Sequence, residues 1–301
     1  MSNKTRLWLS LATLLVFFGG VIFALAMTLN SWDFTRLSTE KYETNSYEIT
    51  EDFYSISVDT ATADIAFLPS PDGTCRVVCY ENEKMKHSVS VTDGALTICV
   101  QNEKAWYDYI GISWESESVT VYLPKTTYDA LLVRGATCDV SVARDFSFAS
   151  ADIEVSTGDV SYRAATSGKL AVGVSTGDVS IDGVRAGDIT VESSTGRVSL
   201  KNITAENASL KTSSGDILLK NAVLADKLSV EVSTGDVTFE RSDAGEIAVV
   251  TATGDICGTL LSGKNFETDT KTGSVSVPRN SSGGRCFIKT STGDIRIAVT
   301  S

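Results

Sequence analysis

The hexapeptide VSTGDV at residues 155–160 returns along the chain as VSTGDV at 174–179, SSTGRV at 193–198, TSSGDI at 212–217, VSTGDV at 232–237, TATGDI at 251–256, TKTGSV at 270–275 and TSTGDI at 290–295. Its glycines, Gly158, Gly177, Gly196, Gly215, Gly235, Gly254, Gly273 and Gly293, are spaced by 19, 19, 19, 20, 19, 19 and 20 residues. A period that constant marks a repeat fold in which each unit packs on its neighbours. A fainter copy, GATCDV at 135–140, puts Cys138 in the glycine position.

Aligned on the glycine, apolar residues fall into columns. Two positions after it stand Val160, Val179, Val198, Ile217, Val237, Ile256, Val275 and Ile295. Five before it stand Ile153, Val172, Val191, Leu210, Val230, Val249, Thr268 and Ile288. The residues between, such as Ser161, Ser180, Ser199 and Thr238, are polar and are expected to face solvent. This is the strand period, so each repeat reads as two short strands with one buried face, meeting at the Thr-Gly corner. A third segment, poorer in pattern (GVRAG, NITAEN, NAVLADK), brings the chain round to the next rung. No repeat holds a helical period, which excludes helical and leucine-rich repeats, and a propeller blade needs about 40 residues. The expected fold is all-β: a parallel, β-helix-like solenoid of 19–20-residue rungs sharing one ladder and one core.

Outward from the repeats, FYSISVDTATADIAF, TCRVVCY, HSVSVTDGALTICV and SVTVYLP also alternate, with turn signals at Pro71-Asp72-Gly73 and Asp93-Gly94. This section is expected to cap the stack against edge pairing. Further upstream, Leu7–Leu29 holds 23 residues without a charge, enough to cross about 30 Å of hydrocarbon as a helix. A secretory signal is the rival, since Lys4 and Arg6 precede the run and Ala24-Leu25-Ala26 resembles a cleavage site. The run is long for a signal, which favours an anchor, and the basic start mildly favours a cytoplasmic N-terminus. The expected layout is a tail at 1–6, a transmembrane helix at 7–29, a juxtamembrane linker at 30–46, the N-terminal β section at 47–130 and the solenoid at 131–301.

All 38 acidic residues follow the apolar run, against 24 of the 26 basic ones, so the region beyond it carries −14 and repels nucleic acid. None of the six cysteines has CxxC or zinc-finger spacing. Cys75 and Cys79 share a strand face about 13 Å apart, too far to bridge to each other, and buried small hydrophobes are the expected role of the set, with a disulfide or two elsewhere among the six as the alternative.

The run FYSISVDTATADIAFLPSPDGTCRVVCY, then VTDGALTICV, then SVTVYLPKTTYDALLVRGATCDVSV and the STGDV ladder resembles the bacterial family called Toastrack, a domain of unknown function also proposed to be an adhesin. The resemblance covers about residues 47 to 300. It implies an all-β repeat domain, often tied to a transmembrane segment and associated with envelope stress-response systems, with no catalytic residues. Arg197 and Ser274 in the aspartate slot and Cys138 in the glycine slot depart from the pattern.

Three sets of residues carry candidate chemistry. The slot after the glycine forms a column of Asp159, Asp178, Asp216, Asp236, Asp255 and Asp294, about 4.8 Å apart between rungs. A cation could bridge such carboxylates, but calcium β-rolls need GGxGxD, absent here, and turn hydrogen bonds are the expected role. Stacked carboxylates in identical surroundings do not separate into acid and base, which argues against a polysaccharide-cleaving enzyme. The only histidine, His87, lies among charges in ENEKMKHSVSV and reads as a solvated loop residue. Trp106, Tyr107, Tyr109 and Trp114 suit filling of the cap, glycan or partner binding, or the membrane interface. The reading is a non-catalytic, membrane-anchored envelope protein that binds a protein partner in stress sensing or scaffolding, needing no cofactor; an adhesin binding glycan or host material is the alternative.

Overall fold

The computed structural model describes residues 3–29, 31–32, 41–104, 115–279 and 282–300. One helix, α1 (Asn3–Leu29), opens the chain, and its stretch Thr5–Leu29 is long and apolar enough to cross a membrane. The N-terminal β section comprises β1 (Tyr42–Ile49), β2 (Ser55–Thr60), β3 (Asp64–Pro69), β4 (Cys75–Asn82), β5 (Met85–Thr92), β6 (Ala95–Asn102) and β7 (Ser118–Leu123). The repeats supply β8 (Thr127–Thr137), β9 (Val140–Val142), β10 (Ser147–Thr157), β11 (Val160–Tyr162), β12 (Ala165–Thr176), β13 (Val179–Asp182), β14 (Ala186–Thr195) and β15 (Val198–Ser214). They continue through β16 (Ile217–Thr234), β17 (Val237–Thr253), β18 (Ile256–Leu260), β19 (Asn265–Thr272), β20 (Val275–Ser276), β21 (Arg285–Thr292) and β22 (Ile295–Val299).

The repeats stack as a parallel β-solenoid. Val160, Val179, Val198, Ile217, Val237 and Ile256 are successive register partners, all buried. Each inward side chain therefore has a like neighbour above and below, and each burial contributes about 1.5–3 kcal/mol. The third segment is not a plain connection: β15, β16 and β17 run unbroken from one Thr-Gly corner to the next. Ile203, Ala205, Ala222, Leu224 and Ala244 point inward there, so the rung has three walls. Small alanines in place of Val and Ile hide that alternation in the sequence. The second corner is turned by Gly183, Asn202, Asn221 and Arg241 at positive φ, and Asn221 donates to Asn202, which donates to Asp182. Ser199 corrects another expectation: it is buried, in register with the larger Leu218, whereas Thr238 is half-buried.

The parallel stack starts earlier than residue 131. β2 and β3 pair parallel with β8 and β9, and β6 and β7 lie one level further out on β2 and β3. Antiparallel strands then close this end: β5 on β6, β4 on β7 and β1 on β4. The β5–β6 turn uses Asp93 and Gly94 at φ 52 and 73, the hairpin geometry that this dipeptide favours. The linker boundary at 46 moves accordingly, since β1 begins at Tyr42. Its polar composition conceals it because its inward Asn45 meets the buried Glu81 carboxylate at 2.7 Å.

The other end departs from sequence order. β21 pairs with β17, and β19 pairs with β21, so the last rung of the chain is inserted beneath the one before it. The physical reason lies in the columns. Cys286, Ile288, Ile295 and Ile297 are apolar and buried, which requires cover on both sides. The rung of β19 carries Thr268 in the core column and Ser274 in the aspartate slot, and it tolerates the outermost place. Where the chain skips a level, buried Lys264 donates to the Ala244 carbonyl at 2.7 Å and pairs with Asp243 at 2.7 Å.

Candidate functional surface

Each Thr-Gly corner is held by its neighbours. The glycine N–H donates to the threonine or serine carbonyl of the next rung, as from Gly196 to Ser214 at 3.0 Å. The aspartate carboxylate accepts the N–H of the same slot in the next rung: Asp159 from Asp178 at 2.7 Å, Asp216 from Asp236 at 3.0 Å, Asp236 from Asp255 at 2.8 Å. Asp178 accepts from Arg197 at 2.8 Å, but the guanidinium of Arg197 accepts nothing, and the series restarts at Asp216. At the end, Asp255 accepts from Asp294, and Asp294 from Ser274, following the transposed order. The hydrogen bonds from Ser274, with Arg296 alongside, hold the Asp294 carboxyl below its usual range. The column extends beyond the repeats: Asp64 accepts from Asp139, and Asp139 from Asp159, each at 2.8 Å. ATADI at 61–65 ends in the same Asp-Ile pair as the repeats, and that was the signal for Asp64.

Beside this corner, an open groove of about 770 Å³ crosses β6, β2, β8, β10, β12, β14 and β15. Its floor is small and hydroxylic, with Gly135, Gly173, Ser156, Ser175, Ser194 and Ser213. Arg134, Glu154, Glu192 and Lys211 rise along it with both signs of charge. Arg134 is braced by Asp152 at 3.2 Å and Glu154 at 3.1 Å. Except for Gly135, three before Cys138, these residues occupy the positions four and two before the glycine slot, so the groove is a consequence of the period.

His87 is not a solvated loop residue. It lies inside the cap on β5, its Nδ1 2.8 Å from Glu81 and its Nε2 3.1 Å from the Thr60 hydroxyl, and both partners of the His87–Glu81 pair are fully enclosed. Alternation of Met85 and His87 inward with Lys86 outward explains it. Cys79 joins this cluster, within 4.8 Å of Glu81 and His87. The six cysteines are free, and burial pushes the thiols of Cys75, Cys79 and Cys286 up to about 12. Trp106, Tyr107, Tyr109 and Trp114 lie outside the described residues, between β6 and β7.

No curated protein matches the chain. Among solved structures, a proposed adhesin from Parabacteroides distasonis is 17% identical, with 87% of this chain and 98% of that one covered, at a TM-score of 0.48. A proposed adhesin from Bacteroides fragilis is 17% identical, covering 86% and 97%, at 0.40. A proposed lipid-binding protein from Parabacteroides distasonis is 17% identical, covering 87% and 98%, at 0.44. The model of the Toastrack DUF4097 family matches residues 53–298, from before β2 into β22, and the chain belongs to that family.

Proposed function

We propose that the protein is a non-catalytic, membrane-anchored component of the cell envelope whose solenoid binds a partner protein, in stress sensing or scaffolding. α1 serves as the anchor, with the N-terminus cytoplasmic and the β domain outside. The observation that carries the reading is the groove across seven strands, with a hydroxyl floor and walls of both charges. Such a lining suits the amides and charged side chains of a polypeptide. Sugar rings bind best on an aromatic platform, and none of the residues lining the groove is aromatic. The chain's one imidazole does not line the groove: it is enclosed with Glu81 behind Thr60.

The test is cross-linking and co-purification from native membranes with wild type and Gly173→Trp. Gly173 lies on the groove, and an added Cβ there meets only the Glu154 Cγ at 3.5 Å, so the substitution fills the groove without straining the backbone. The expected result is an unchanged thermal melt and loss of the captured partner. Retention of every partner by a folded Gly173→Trp variant would sink the reading. Glycan binding by the wild type that Gly173→Trp abolishes would turn it to the adhesin alternative.

A further inference from the structure

The two ends of the solenoid are finished differently. At the cap, the outer strands β1 and β5 are tied together: Lys86 pairs with Glu43 at 2.5 Å, the Tyr47 hydroxyl donates to the His87 carbonyl at 3.3 Å, and Glu83 N–H donates to the Lys41 carbonyl at 3.0 Å. At the far end, β19 is an eight-residue strand paired on one side only, among the described residues. It carries outward charges at Glu267, Asp269 and Lys271, one of the devices that blunt an edge, but it is otherwise long and regular. Its register against β21 is unbroken, it contains no proline, and its inward side chains Phe266, Thr268 and Thr270 are uncharged and half-buried. Val275, on the same rung, is 44% exposed.

We propose that β19 pairs antiparallel with β19 of a second copy, joining two solenoids end to end. Two identical strands keep their inward residues on one face only in registers whose twofold axis falls on a residue. Centred on Thr268, Glu267 meets the partner's Asp269 twice, which is repulsive. Centred on Asp269, two Glu267–Lys271 pairs form, but Asp269 opposes itself. Centred on Thr270, Asp269 meets the partner's Lys271 and Lys271 the partner's Asp269, with no like charges opposed. Cross-strand pairs of this kind select register, and they select the one about Thr270. The dimer continues ladder and core, is collinear, and puts the two caps at opposite ends.

The experiment measures the mass of the full chain in detergent by sedimentation over a concentration series. Wild type is expected to dimerise reversibly. Lys271→Glu opposes two pairs of acidic groups and is expected to weaken the dimer roughly tenfold. Asp269→Lys combined with Lys271→Glu exchanges the charges across the seam and is expected to recover most of the affinity, although it removes the Asp269–Lys289 pair at 3.0 Å within each copy. Both side chains lie on exposed or half-exposed positions at the edge, and melts confirm that each variant is folded. A wild type that stays monomeric overturns the proposal. So does a dimer indifferent to Lys271→Glu, which assigns association to α1 or another face, and so does a double variant no better than the single one.

Discussion

At Gly235 the backbone sits at φ 147, and a Cβ would stand 2.1 Å from the Gly215 carbonyl oxygen of the neighbouring rung. Conformation and contact both demand glycine, so Gly235→Ala is expected to cost about 3 kcal/mol in urea melts. Asp236→Ala removes only the acceptor for the Asp255 N–H, and about 1 kcal/mol is expected. Because these carboxylates already accept a backbone N–H, chelator is expected to leave the melting temperature unchanged. A large drop would make the column a metal site. The glycine and aspartate columns were legible because a fixed corner repeats the same demand at every rung. His87 was not, because its neighbours in sequence are charged while its partners, Glu81 and Thr60, come from other strands.

Along a strand, the two-residue period decides what a substitution does. Val237 is wholly buried between Ile217 and Ile256, and Val237→Asp puts a carboxylate into the core at a cost of several kcal/mol. Thr238 is half-buried, and Asp there is expected to cost about 1 kcal/mol or less. Ser199, though polar in sequence, belongs with the costly set because it is buried beside Leu218. Equal losses at Val237 and Thr238 would contradict the register. The third wall escaped the pattern for the opposite reason: its inward residues are small, and period is hard to read in Ala and Ser. Buried Lys264 had no local signal either, since Asp243 and the Ala244 carbonyl lie a full rung away in sequence. Lys264→Ala leaves Asp243 without its partner and is expected to cost about 3–5 kcal/mol.

For the molecule as a whole, the spacing of the glycines foretold the stack but not the order of its last rungs. Spacing is blind to order, because a rung fits the ladder wherever its columns match. Thr268, a polar residue in the apolar column, was the visible trace, since it tolerates an end better than an interior. This order also makes β19 the free edge, so the end-to-end dimer depends on it. Val250 and Lys289 are register partners on neighbouring strands, with Lys289 in turn opposite Asp269. Neighbouring strands are about 4.8 Å apart, within disulfide reach, whereas the next but one is about 10 Å away and beyond it. Oxidation of paired cysteine variants therefore tests the architecture directly. Val250→Cys with Lys289→Cys is expected to cross-link, and Val250→Cys with Asp269→Cys is not; the reverse outcome would restore sequential stacking and contradict the account.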